Sequence, residues 1–232
     1  MIDIALRPTK DRLLEPLVAV LAPRVGPLAL TSLALAAGLG AAAAAAGGLV
    51  VVSVLLWLFG RVLDGLDGAV ARRRDGASDL GGYLDIVADT VVYAAVPIGI
   101  AVGVGDGATW VAVGVLLATL YVNTVSWTYL AALFEKRRSG AGTTGEATSV
   151  RMPPGLVEGA ETIVLYTAML AVPSLATAWF LAMAVLVALT VLQRVVAASV
   201  ALRGPARPVD AGRPVGRHLV GRHLVGRRRR AA

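Results

Sequence analysis

Three long blocks of this chain contain no Lys or Arg: Val25 to Gly60, Asp75 to Glu135, and Met152 to Gln193. Each is dominated by Ala, Val, Leu and Gly, and each is bounded by basic residues. A soluble fold has no use for apolar runs of this length, because roughly 20 such residues suffice to cross a bilayer as a helix. The chain has 232 residues, 57% of them hydrophobic and only 16% charged, with a mean hydropathy of +0.74. Soluble domains carry about a quarter charged residues. These features predict an all-α, polytopic membrane protein.

Six apolar stretches are expected to span, at 27–46, 48–72, 80–104, 108–134, 156–174 and 175–201. An interfacial helix over 10–22, kinked near Pro16, should precede them. The fifth and sixth stretches are separated only by a break at Val172-Pro173-Ser174. Charge then sets the orientation. Arg7, Lys10, Arg12, Arg24, Arg73, Arg74, Lys136, Arg137, Arg138 and Arg151 fall on one side, whereas the turns near Gly47-Gly48, Val104–Gly107 and Pro173-Ser174 hold no Lys or Arg. The positive-inside rule puts both termini in the cytoplasm of a bacterial-type cell membrane. The organisation expected is a cytoplasmic segment 1–26, a membrane domain 27–202 and a disordered basic tail 203–232 that repeats Val-Gly-Arg-His-Leu at 215–219 and 220–224. The net charge of +7 therefore marks loop bias, not a nucleic-acid surface. With no cysteine, and with its two histidines in the tail, the chain offers no thiolate or buried imidazole site.

The second and third spans break the apolar rule. Between Asp64 and Asp89 the chain reads Asp-x2-Asp-Gly-x2-Ala-Arg-x8-Gly-x3-Asp-x3-Asp, with Asp64, Asp67, Gly68, Ala71, Arg72, Gly81, Asp85 and Asp89 as its members. Taking Asp64 as zero, Asp67, Gly68 and Ala71 lie at about −60°, +40° and −20° around the helix, on one face. Asp85 and Asp89 share a face of the next span at i, i+4. Two helices can therefore aim two carboxylates each into one volume, with Gly68, Ala71 and Gly81 keeping it free of bulk. The site should lie about 10–15 Å in from the level of Arg72. Carboxylates at membrane depth are costly unless neutralised. Arg61 and Arg72 are the only nearby cations, which leaves about two charges uncompensated. Hard divalent cations, magnesium or manganese, suit an all-oxygen ligand set. Arg73 and Arg74 are expected to snorkel at the interface, and Asp79 to cap the third span.

This pattern closely resembles the signature of the CDP-alcohol phosphotransferases, integral membrane enzymes that move a substituted phosphate from a CDP-linked donor to an alcohol and release CMP. The resemblance covers every fixed position of the motif. It implies a homodimer with two bound Mg2+ or Mn2+ ions, Asp64, Asp67 and Asp85 as metal ligands, and Asp89 as a fourth ligand and general base. Gly68, Ala71, Gly81 and Arg72 would border the nucleotide. Members often open the first span with Pro-Asn-x-x-Thr; Pro27 and Thr31 are in register, but Leu28 stands at the Asn position. Thr31 is thus a further nucleotide-site candidate.

Lys136, Arg151, Glu158, Glu161 and Arg194 are candidates for the acceptor side. Basic loop residues are equally explained by anchoring, and the two glutamates by headgroup-level pairing with Arg151 or Arg194. Arg194, inside the last span, needs a partner or a polar cavity. The expected reaction is transfer of a phosphatidyl group from CDP-diacylglycerol to a small alcohol in phospholipid biosynthesis, with glycerol 3-phosphate the first acceptor and serine, inositol or inositol phosphate the alternatives. A rival from another class is a divalent-cation transporter. It would explain the aspartates but not Gly68, Ala71, Arg72 or the spacing to Gly81, and it would need outer-half acids where only Asp106 stands.

Overall fold

The computed structural model describes residues 12, 14–74, 78–137 and 159–203. The expected contributions of Arg151 and Glu158, and the tail, lie outside the described residues. The helices are α1 (Pro27–Ala46), α2 (Val50–Arg73), α3 (Asp79–Val104), α4 (Gly107–Lys136), α5 (Gly159–Ala171) and α6 (Ala176–Arg203). No strand occurs among the described residues. Four segments are long and apolar enough to cross a membrane: Pro27–Ala46, Asp79–Val104, Gly107–Lys136 and Pro173–Arg203. The 24-residue α2 has the length, but Arg61, Asp64 and Asp67 interrupt its apolar character. Over its 13 described residues α5 is shorter than a bilayer crossing.

Local chemistry sets the boundaries. Pro27 occupies the first turn of α1, where its missing N–H costs nothing. The α1–α2 turn uses Gly48 at φ 71°, and α3 stops at Gly105 at φ 77°, both left-handed. Ser78, not Asp79, caps α3: it is extended (φ −121°, ψ 150°) and its hydroxyl accepts from the Gly81 amide at 3.1 Å. Asp79 is already inside the first turn, where its charge suits the helix dipole. Asp106 caps α4, accepting from the Thr109 hydroxyl at 2.6 Å and the Thr109 amide at 2.8 Å. Those two bonds hold its carboxyl below the usual carboxylate range. A single 3₁₀ turn, Pro173–Leu175, separates α5 from α6.

Residues 14–21 are helical and pack beneath the bundle, with Val18 and Ala22 buried among Leu30, Ala34, Leu63, Leu66 and Val70. Arg73 and Arg74 do more than the expected snorkelling. Arg73 pairs with Glu15, and Arg74 donates to the carbonyl of Ala22. Both basic side chains at the end of α2 thus tie the N-terminal helical segment to it.

Helix α1 packs along both α2 and α3, and α4 packs along α6. Small residues permit the first of these associations. A Cβ added at Gly99 would lie 2.2 Å from the Ala42 carbonyl oxygen, and one at Gly103 would lie 2.4 Å from that of Ala45. Gly99 and Gly103 are four apart on α3, the small-x3-small spacing that lets membrane helices touch backbone to backbone. Two residues before Gly99, Pro97 has no N–H for the carbonyl four residues back. That carbonyl belongs to Tyr93, and the buried Tyr166 hydroxyl donates to it at 2.7 Å. A phenol from α5 thus satisfies the acceptor orphaned by the proline.

Gly99→Ala is expected to destabilise the bundle by about 1–3 kcal/mol, because the contacting atom is backbone and cannot rotate away. Gly114→Ala, whose added Cβ meets nothing within 4 Å, is the matched control. Thermal unfolding in detergent should separate the two.

Candidate active site

The acidic motif is carried by two helices that both lean on α1. In α2, Asp67 is 5% exposed and Asp64 is half-buried; in α3, Asp85 and Asp89 are half-buried. Oxygens of Asp64, Asp67 and Asp85 lie within 4.8 Å of one another. Helical spacing therefore does what the sequence implies: i, i+3 on α2 and one residue of α3 converge on a common volume.

α1 adds a donor. The Thr31 hydroxyl gives its hydrogen to Asp67 Oδ2 at 2.6 Å, and lies 3.2 Å from the Pro27 carbonyl. This Thr is 8% exposed and reaches across 36 residues of sequence. Leu28, at the position where an Asn is often found, is 43% exposed and turns away from such a role.

Asp89 stands on the other side of a cation. Its Oδ1 accepts from Arg61 at 2.7 Å, while Asp64 Oδ2 is 3.8 Å from the same nitrogen. Arg61 is 8% exposed. Its guanidinium carbon lies 4.9 Å from the centroid of Trp57 and 5.4 Å from that of Tyr93. Trp57 stacks on Tyr166 at 5.1 Å, Tyr93 meets both rings edge-on, and the Trp57 indole donates to Thr167 at 3.1 Å. Three of the four expected ligands thus converge, while the fourth, Asp89, is paired with Arg61.

Beyond Asp89 opens a cavity of about 580 Å³ bounded by α3, α4, α5 and α6. Its wall includes Asp89, Thr90, Tyr93, Asn123, Thr162 and Thr190, set among apolar side chains. Asp64, Asp67 and Asp85 do not line it. Arg194, buried on α6, donates to Asn123 Oδ1 at 2.7 Å, and its Nε has no hydrogen-bond partner among the described residues. The partner of Arg194 is therefore a neutral amide on the cavity wall. Sequence reasoning passed over Asn123, although an amide in the apolar run Tyr121-Val122-Asn123 was a visible signal.

The remaining candidates are more peripheral. Gly68 and Ala71 follow Asp67 on α2; a Cβ at Gly68 would come within 3.4 Å of the Arg72 guanidinium, so Arg72, itself exposed, folds back towards the motif. The Gly81 amide is occupied by the Ser78 cap. Lys136 ends α4 and is exposed, and Glu161 sits half-buried in the first turn of α5.

Residues 24–192 match the CDP-alcohol phosphatidyltransferase family. The chain belongs to that family. A curated relative, the inner membrane protein YnjF of Escherichia coli K12, is 37% identical over 182 residues, covering 78% of this chain and 84% of the relative. Among solved structures, the fold is shared with the phosphatidylinositol phosphate synthase PgsA1 of Mycobacterium tuberculosis. With CDP-DAG bound, that enzyme superposes with a TM-score of 0.60 at 23% identity, covering 82% of this chain and 92% of the other. In complex with manganese and citrate, the TM-score is 0.62 at 22% identity, with 79% and 88% covered. The transporter alternative receives no support from these likenesses.

Thr31→Val removes the hydroxyl but keeps the shape, leaving a buried Asp67 oxygen without its donor. The expected loss is about 1–3 kcal/mol of stability, read from the unfolding midpoint in mixed detergent titrations.

Proposed function

We propose that this protein is a metal-dependent phosphatidyltransferase that moves a phosphatidyl group from CDP-diacylglycerol to a small phosphorylated alcohol, releasing CMP. The observation that carries the reading is the convergence of Asp64, Asp67 and Asp85 oxygens within 4.8 Å on helices of a bundle from this family. Three carboxylates so close inside an apolar bundle repel one another unless a cation lies among them. Hard oxygen donors in that set fit Mg2+ or Mn2+. The manganese complex of PgsA1 supports the choice of ion class. Asp64, Asp67 and Asp85 would hold the cations, two in this reading, with Asp89 facing them. When bound, such ions neutralise the diphosphate and draw charge from its oxygens.

The chain's own residues supply the rest. Gly68, Ala71 and Gly81 leave room for the cytidine end, with Arg72 and Thr31 at its edges. Asp89 lines the cavity on one side and neighbours the carboxylate cluster on the other. It takes the proton of the acceptor hydroxyl as that oxygen bonds to the phosphorus carrying the diacylglycerol. The bond from that phosphorus to the bridging oxygen breaks, and its electron pair leaves with CMP.

The acceptor bears a phosphate in this reading because Arg194, a buried cation hydrogen-bonded to a neutral amide, lies behind Asn123 of the cavity wall. A buried guanidinium gains most from a second, anionic ligand. Glycerol 3-phosphate is the first choice and inositol phosphate the second, the latter favoured by the fold shared with PgsA1. Lys136, Arg151, Glu158 and Glu161 remain further acceptor-side candidates in this reading. The reading also carries six membrane crossings within residues 27–202, an interfacial N-terminal helix, a homodimer, and both termini and the active site on the cytoplasmic side.

Purified protein given CDP-diacylglycerol, Mg2+ or Mn2+, and glycerol 3-phosphate, inositol phosphate, inositol or serine should form CMP and one new lipid. Asp67→Asn or Asp85→Asn should lower the rate by about 100-fold or more, and EDTA should abolish it. Arg194→Met should raise KM for a phosphorylated acceptor about tenfold or more while leaving donor KM unchanged, as loss of a charge-assisted contact predicts. Rates indifferent to chelation and to both aspartate substitutions would overturn the reading.

A further inference from the structure

We infer that Asn123 is a specificity-determining residue: its amide, turned by Arg194 so that its N–H groups face the cavity bounded by α3, α4, α5 and α6, selects an acceptor that carries an anionic group. The inference deepens the transferase reading and rests on it.

Asn123 interrupts the apolar sequence of α4 and lines the cavity. Its Oδ1 accepts from Arg194 at 2.7 Å. A guanidinium has donors and no acceptor, so the amide oxygen must face it and the amide nitrogen must face the other way. That nitrogen makes no hydrogen bond among the described residues and is not sealed from the cavity. An amide polarised through its oxygen by a cation donates more strongly through its nitrogen. Other donors of the wall are already engaged. The Thr90 and Thr190 hydroxyls give their hydrogens to the Ile86 and Leu186 carbonyls, and the Tyr166 hydroxyl gives its own to the Tyr93 carbonyl. The Asn123 amide is thus an uncommitted donor with a positive charge behind it. Neutralising Arg194 would be done better by an Asp, yet among the described residues no carboxylate pairs with it. A neutral amide holds the buried guanidinium in place and leaves its charge uncompensated, which favours an anion on the far side of the amide. Asp89 stands on the same wall as a hydrogen-bond acceptor. An alcohol with an anionic group for Asn123 and a hydroxyl for Asp89 matches both.

The test gives the purified full-length protein two matched pairs of probes, glycerol 3-phosphate against glycerol and inositol phosphate against inositol. The readouts are CMP release from CDP-diacylglycerol and the shift each probe causes in unfolding temperature. Wild type should favour the phosphorylated member of at least one pair by about tenfold or more in kcat/KM. Asn123→Asp keeps the shape and the bond to Arg194 but sets a carboxylate oxygen where the N–H groups were. KM for the phosphorylated acceptor should rise about tenfold or more, KM for its unphosphorylated counterpart should stay within about threefold, and donor KM should not move. Asn123→Leu removes the amide without adding repulsion, so it should raise the same KM by a smaller factor than Asn123→Asp. In an Arg194→Met background Asn123→Leu should add about threefold or less, because the amide is no longer polarised. If Asn123→Asp keeps the wild-type preference, moves donor and acceptor KM together, or loses activity only in step with its unfolding temperature, the inference is overturned. Wild type that prefers the unphosphorylated member of both pairs overturns it as well. Should Asn123→Leu fail to fold, Asn123→Asp decides, since that variant retains a partner for Arg194. Wild type that releases no CMP with any of the four probes or with serine would instead sink the transferase reading. The thermal shifts then judge Asn123 alone: a phosphorylated probe that stabilises wild type and not Asn123→Asp supports the inference, and equal shifts reject it.

Discussion

Carboxylates inside an apolar helix bundle cannot be left alone, and the neutralisation of four of them organises the centre of this protein. Burial strengthens every Coulomb term around Asp64, Asp67, Asp85 and Asp89. One hydroxyl, Thr31, and one guanidinium, Arg61, are brought to them through the protein's own packing. Neither partner lies in the acidic motif. Thr31 comes from α1 and Arg61 from one turn before Asp64, so the site depends on how closely α1, α2 and α3 can approach.

That approach depends on small residues. Gly99 and Gly103 set backbone of α3 against backbone of α1, and Gly60 sets α2 within 3.3 Å, by its absent Cβ, of the Ala34 carbonyl. Membrane helices gain little from hydrophobic association with one another, so van der Waals contact of this intimacy carries the packing. The consequence for function is positional. Sliding α3 along α1 by a residue would carry Asp85 away from Asp64 and Asp67. The glycine seam is therefore as much a part of the site as the acids.

Much of this was legible in the sequence, and the reason is periodicity. Cation-free apolar blocks, glycine turns and the Pro173 break gave helix bounds within a few residues of those observed, and the 100° rotation per residue placed the α2 acids on one face. What escaped were contacts between distant segments. No pattern says that Arg61 will choose Asp89 over Asp67, that Tyr166 will supply the proton missing at Pro97, or that Arg194 will meet Asn123. Ser78 was passed over as cap because Asp79 is an equally good capping residue by type; only backbone conformation distinguishes them. Arg73 and Arg74 read as interface residues because their partners, Glu15 and the Ala22 carbonyl, belong to a segment whose docking has no periodic signature.

The asymmetry between the two sides of Asp89 is the feature from which specificity can grow. Towards α2 lie charged oxygens in a tight set, which suits a diphosphate and its cations and leaves little freedom to vary. Towards α4, α5 and α6 lies a roomier cavity whose polar members are hydroxyls, an amide and, behind Asn123, a single buried cation. Changes on that wall alter what fits without disturbing the acids, because α4 and α6 pack chiefly on each other and not on α1 or α2. A bundle built in two such halves can keep one chemistry while exchanging acceptors. Asp89 touches both halves: it accepts from Arg61 of α2 and lines the cavity on its other side.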